Sequence, residues 1–167
     1  MLNSITNANA YRDGNTLIGK LEQIDLPNIK FKTEDISALG LFATIPIPVG
    51  LEKLEAKLKW NAIYDNDWKA ASPVTSSTIV VKSNMTSVDG TGRSNQIPVT
   101  ATVKGTYVEL PTGNMKAGAK FDGSEHLLNV NYYKLEVNGA KIYEVDIFNN
   151  IIFIGDTDIL ESFRANQ

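Results

Sequence analysis

A mainly β fold, an antiparallel sandwich or barrel with one short internal helix and a C-terminal helix, is what this sequence predicts. Three observations carry that reading. From Lys53 to Trp60 apolar Leu54, Ala56, Leu58 and Trp60 alternate with Lys53, Glu55, Lys57 and Lys59, the period-2 signature of a strand with one dry face. From Ile97 to Tyr107 the same alternation sets Ile97, Val99, Ala101, Val103 and Tyr107 against Thr100, Thr102, Lys104 and Thr106. Asp13-Gly14 and Asn138-Gly139 are two-residue turns of the kind that join antiparallel strands.

The first of these is the instructive one, because Leu, Glu, Ala and Lys are good helix formers. A helix would group Leu51, Leu54 and Leu58 but swing Trp60 about 200° from Leu58, onto the charged side. A strand keeps Trp60 with the other apolar residues, so pattern prevails over propensity.

The remaining elements follow in chain order. After Asp13-Gly14 a strand runs to about Asp25 and stops at Pro27. Residues 28–49 are Pro-dotted and weakly patterned. IKFKTEDISALG reads as an extended loop, and LFATIPIPVG as an edge or bulged strand, because Pro46 and Pro48 bar it from a sheet interior. A short helix is expected over 61–72, N-capped by Asn61, with Tyr64, Trp68 and Ala71 on one stripe. Strands follow at 75–88, 97–110 and on either side of Asn138-Gly139, with a loop at 111–123. The tail reads as a helix over 157–165, where Asp158 and Glu161 have capping-box spacing. There is no repeat and no linker, so residues 1–167 are taken as one domain.

Composition excludes several function classes. Hydrophobic residues make up 43% of the chain, ordinary for a globular protein. A net charge of −3 supplies no global basic field for nucleic acid. With no cysteine there is no disulfide framework, thiolate nucleophile or Cys-based zinc site. The N-terminus lacks the basic and apolar regions of a signal peptide, and no apolar run approaches the ~20 residues of a membrane span. Synthesis in a cytoplasm is the expectation.

Chemical motifs are equally sparse. A lone histidine, His126, rules out a multi-His metal site and reads as structural. Gly90-Thr91-Gly92-Arg93 lacks the strand–helix frame and Lys-Ser/Thr of a phosphate loop and reads as a turn. Asp65 and Asp67 lack the further ligands of an EF-hand and read as a solvated helix face. Asp156 and Asp158 read as acid at a helix N-terminus. No cofactor or metal is expected, and no constellation argues for an enzyme. Trp60, Trp68, Tyr132 and Tyr133 leave one alternative, a carbohydrate-binding β-sandwich, with core packing as the bland account.

Three stretches, LPNIKFKTEDISALG…IPVGLEKLEAKLKW (26–60), IPVTATVKGTYVELPTGNMKAGAKFD (97–122) and VNYYKLEVNGAKIYEVDIFNNIIFIGDTDILESFRANQ (130–167), together resemble the major tail tube proteins of contractile phage tails and R-type bacteriocins. The order and spacing carry the resemblance, and residues 61–96 add little to it. One departure is Ile154-Gly155-Asp156-Thr157-Asp158, where the family has Asn-Gly-Val-Asp before its last helix.

The resemblance implies a structural subunit whose hexameric rings stack into a hollow tube, which conducts DNA or punctures an envelope after sheath contraction. It further implies an inner sheet closed across six subunits into one β-barrel. Lys53, Glu55, Lys57, Lys59, Thr100, Thr102, Lys104 and Thr106 are then expected to face the lumen. The loop Lys32, Thr33, Glu34, Asp35, Ile36, Ser37, Ala38, Leu39 and Gly40 is expected to reach the neighbouring ring. The implied partners are further copies of the chain, a sheath protein, and baseplate and tail terminator proteins, with DNA passing through unread. The implied location is a virion tail or bacteriocin particle assembled in a bacterial cytoplasm. A type VI secretion tube, or that of another contractile injection system, is the alternative of the same class.

Overall fold

A computed structural model describes every residue from Met1 to Gln167. Twelve strands and two short helices follow in order: β1 (Leu2–Arg12), β2 (Asn15–Thr16), β3 (Leu21–Asp25), β4 (Phe31–Ile36), β5 (Ile45–Leu51), β6 (Leu54–Trp60), α1 (Asp65–Lys69), β7 (Ser77–Val88), β8 (Ser94–Glu109), β9 (Glu125–Val137), β10 (Ala140–Asp146), β11 (Ile151–Ile154), β12 (Thr157–Asp158) and α2 (Glu161–Ala165). Ten strands form one antiparallel sheet in the order β12-β11-β10-β9-β8-β7-β1-β2, and β6 with β3 branches from β9. β4 and β5 form a separate hairpin.

The branch at β9 organises the molecule. One edge of β9 pairs with β8 along almost its whole length. The other edge is divided: residues 125–130 pair with β6 and residues 132–137 with β10. The register shift from Lys104/Tyr132 to Gly105/Val130 leaves Asn131 as an extra residue on β9 where this division occurs, and a bulge bends its strand and increases the twist. Gly105 is required there, since a Cβ would lie 2.0 Å from the carbonyl oxygen of Asn129. The curled sheet encloses Leu54, Ala56, Leu58 and Trp60 of β6 together with Ile79, Val81, Ala101, Val103, Tyr107, Leu128, Val130 and Tyr133.

The β6 reading is correct. Its apolar residues are all buried, and Glu55, Lys57 and Lys59 stand on the opposite side. Both turns are also as expected: Asp13, Gly14, Asn138 and Gly139 all have positive φ, as a type I′ turn requires.

Four expectations need correction. Residues 28–40 are not an extended loop throughout, because Phe31–Ile36 pairs with Ile45–Leu51. Thr33, Glu34 and Asp35 oppose Pro48, Ile47 and Pro46, and a two-stranded ribbon tolerates the prolines because β5 needs donors on one edge only. The internal helix spans only Asp65–Lys69, with Tyr64 at its N-cap and no side-chain cap. Asn61 instead accepts a hydrogen bond from the Tyr64 hydroxyl at 2.6 Å. The C-terminal helix begins at Glu161, Leu160 is its N-cap and again no side chain caps it. Asp158, expected as the capping acid, lies in β12, accepts the Leu160 N–H at 3.1 Å and pairs with Arg164. That pairing holds the Asp158 carboxyl below the usual carboxylate range.

The two faces of β6 should respond differently to substitution. Leu58→Asp places an unpaired carboxylate in the core and should cost more than about 4 kcal/mol, whereas Lys57→Leu should stay within about 0.5 kcal/mol. Urea unfolding of the two variants measures both, and equal effects would refute the face assignment.

Candidate functional site: an unpartnered hairpin, a free sheet edge and a charged face

From Lys32 to Gly50 every residue is exposed. This stretch includes Ile36, Leu39, Leu41, Phe42, Ile45, Ile47 and Val49, with Leu39 and Phe42 fully so. The ribbon is anchored at its base, where the Glu52 N–H donates to the Lys30 carbonyl at 2.8 Å and Phe31 and Leu51 pack against the core. An isolated two-stranded ribbon is marginal in water, and exposed apolar residues gathered on one element mark an interaction surface. The expected contact residues Lys32–Gly40 therefore occupy one strand and the turn. The return half, read from the sequence as an edge or bulged strand and not singled out for contact, adds exposed Leu41, Phe42, Ile45 and Ile47; the Leu-Phe pair amid prolines was the available signal.

A second unfilled surface is backbone. β7 pairs with β1 from Leu2 to Arg12, but β2 covers the other edge of β1 only at Tyr11 and Arg12. Leu2–Asn9 thus presents a long free edge, carrying exposed Leu2 and Ile5. Such an edge is a template for another strand.

The third surface is the outer face of the main sheet. Residues directly opposite one another in an antiparallel sheet share a face, so the register defines rows. Thr100 lies between Lys82 and Glu136, Thr102 between Val80 and Lys134, and Lys104 between Thr78 and Tyr132. Thr106 and Glu55 both oppose Asn129, which links the rows of β8 to β6. Lys57 and Lys59 oppose Leu127 and Glu125, and Lys53 precedes β6 and pairs with Glu55 at 2.8 Å. The structure thus brings the eight residues Lys53, Glu55, Lys57, Lys59, Thr100, Thr102, Lys104 and Thr106 onto outward faces. β9 and β10 add charges that the sequence reading had not singled out. Lys134 pairs with Glu136 at 2.8 Å and Lys141 with Glu144 at 3.3 Å. The Glu136 carboxylate raises the Lys134 pKa. The alternation of Tyr132, Lys134 and Glu136 with Tyr133, Leu135 and Val137 was legible as a two-faced strand.

The remaining candidates are structural. An apolar cleft of 610 Å³ between Pro48–Leu51, β10, β11 and α2 has Asp146 as its single ionisable lining residue. The Gly90–Arg93 segment is a turn, with Asp89 Oδ1 accepting the N–H groups of Thr91 at 2.8 Å and Arg93 at 3.0 Å. Trp60 and Tyr133 are buried, so the proposed aromatic platform for a sugar does not exist. Asp67, read as solvated, is buried: it accepts from Arg12 Nη2 at 3.3 Å and Lys20 Nζ at 2.6 Å. Arg12 Nη1 also donates to the Tyr107 hydroxyl at 3.4 Å. Period 3.6 placed Asp67 beside Trp68 but could not show that β1 delivers an arginine there.

The molecule is thus a β-sheet subunit whose unsatisfied surfaces are a backbone edge, an apolar ribbon and a charged sheet face. Surfaces of this kind mark contact with other chains. Residues 2–166 match the family described as phage tail tube protein FII. The tail tube protein of Escherichia phage P2 is 23% identical over 164 residues, 95% of this chain and 92% of that protein. The chain belongs to the phage tail tube protein family, a family of virion structural proteins.

The ion cluster gives a prediction of its own. Asp67→Ala leaves Arg12 buried without its carboxylate and should cost about 3–5 kcal/mol. Thermal unfolding of the variant checks this, and a change below about 1 kcal/mol would show that Arg12 reaches water.

Proposed function

We propose that this chain is the subunit of the inner tube of a contractile tail, working as hexameric rings that stack into a hollow cylinder. The carrying observation is the β4–β5 ribbon, a 19-residue exposed run, Lys32 to Gly50, whose apolar residues include the fully exposed Leu39 and Phe42. A standard interface takes roughly 20–30 residues a side, so the ribbon alone approaches what one stacking contact requires. In this reading Lys32–Gly40, together with Leu41, Phe42 and Ile45, reaches the neighbouring ring.

Within a ring, the free β1 edge offers hydrogen bonds to an adjacent subunit, and closing six sheets into one barrel removes every such edge. The outward rows then line the bore. Lys53, Glu55, Lys57, Lys59, Thr100, Thr102, Lys104 and Thr106 remain in water; among them four lysines stand against one glutamate, and the pairs Lys134/Glu136 and Lys141/Glu144 add charges of both signs. Mixed charges let a polyanion pass without the strong, salt-dependent binding that a purely basic wall would produce. Sheath protein encloses the tube, baseplate and terminator proteins close its ends, and assembly takes place in the bacterial cytoplasm before the tube enters the virion tail.

Electron microscopy of concentrated protein tests the proposal. Wild-type chains should form rings or hollow tubes. Replacing Leu39, Leu41 and Phe42 together by Ser should leave the subunit's unfolding midpoint within about 0.5 kcal/mol of wild type, since these sites are exposed, yet abolish tubes. Tubes of wild-type length from the triple variant would overturn the stacking role.

A further inference from the structure

The chain has one histidine, and it is sealed in the interior. His126 retains 1% exposure and lies opposite Leu58 in the β6–β9 register. Its ring is surrounded by aromatics: centroids lie 4.8 Å from Trp68, 5.7 Å from Trp60 and 6.2 Å, edge-on, from Tyr107. Phe121 extends the cluster behind Trp68, at 6.5 Å. Neither imidazole nitrogen makes a hydrogen bond of good geometry.

No element around this ring offers an anion. β6 contributes Leu58 and Trp60, while Lys57 and Lys59 belong to its other face. From β8 comes the Tyr107 phenol, itself pushed up by burial. β1 brings the Arg12 guanidinium, which disfavours a second cation. In α1, Trp68 touches the ring, and the Asp67 carboxylate is already shared by Arg12 and Lys20. On β9 itself, Glu125 is exposed and faces away. The 111–124 loop supplies the Pro111 backbone, whose weak pull opposes the larger effect of burial, together with Phe121. Lys120 and Asp122 of that loop engage Glu22 and Lys59 on the outside. A neutral imidazole packs here as an aromatic; an imidazolium would lose hydration and gain no anion, and the Pro111 backbone does not make up the loss.

The pieces joined by this cluster are short and lie outside the long strand ladders. α1 is five residues long, and the loop has one backbone bridge of its own, Asn114 with Asp122. The long strands β7, β8 and β9 hold one another independently.

We propose that His126 is an acid-operated latch: a proton on its imidazole releases the corner made by α1 and the 111–124 loop while the long strands stay paired. The sign follows from linkage. Burial lowers the folded-state pKa below the ordinary 6.5, so the unfolded or opened form binds the proton more tightly. Stability is full above 6.5 and declines as pH falls from there toward the depressed folded value.

The two tryptophans of the chain both touch the histidine and report its state. In dilute wild-type subunit taken from about pH 7.5 to about pH 5, where histidine is the side chain that ordinarily titrates, tryptophan emission should change reversibly. Hydrogen exchange should quicken in residues 61–72 and 111–124 but not in β7–β9. His126→Phe, which keeps the aromatic packing, should show neither change, and His126→Gln provides a second neutral variant should the first fail to fold. Emission and exchange that stay constant over this window in wild type would overturn the proposal, as would the same transition in a folded neutral variant. Uniform loss of protection across all strands would also overturn it, because the histidine would then govern global unfolding and not a local latch.

Discussion

Everything in this subunit depends on β9 being paired on both edges. Its backbone holds β8 on one side and, on the other, first β6 and then β10. Burial of Leu128, Val130 and Tyr133 on its inner side fixes the register, since a one-residue slip would carry all three to the outer face. With that register set, β6 must present Leu54, Ala56, Leu58 and Trp60 inward, and its charges have one direction left. The strand is helix-prone in isolation, but a ladder on each edge, to β3 and to β9, outweighs propensity differences of a few tenths of a kcal/mol per residue. Lys59 gains further from Glu22 and Asp122, each 3.7 Å away, although exposed pairs of this kind contribute little.

The same register decides which surfaces remain unfilled. A sheet that branches at β9 ends in short strands, β2 and β12, and neither is long enough to cover its neighbour. β1 is left with a bare edge, and the β4–β5 ribbon leaves the body altogether. A soluble monomer normally blunts its edges and hides its apolar residues. This one does neither on its ribbon, where Leu39 and Phe42 are fully exposed. Membership of the tail tube family is what supports our proposal that neighbouring copies of the chain cover those surfaces.

Strands whose two faces differ were legible in the sequence. β6 and β8 were read correctly because one face is dry and the other wet. The tight turns at Asp13-Gly14 and Asn138-Gly139 were legible because positive φ at consecutive positions restricts the residue choice. β4, β1 and β11 were not read as found, for one shared reason: strands exposed on both faces or very short carry no alternation. The helix ends were misplaced because neither helix has a side-chain cap; tertiary contacts through Trp68 and Leu160 hold them instead. Asp67 escaped because its partners, Arg12 and Lys20, lie 55 and 47 residues away. Of the candidate site, the charged rows and half of the ribbon could be seen, and the free β1 edge could not.

The central claim is that the ribbon and the β1 edge are surfaces completed by other copies of the chain. Amide hydrogen exchange, measured on dilute subunits and again on concentrated, assembled protein, tests it most directly. Residues 2–9 and 31–51 should exchange fast in the dilute state and become strongly protected on assembly, with β7–β9 protected in both. Assembled particles in which those two segments exchange as fast as in the free subunit would contradict the account.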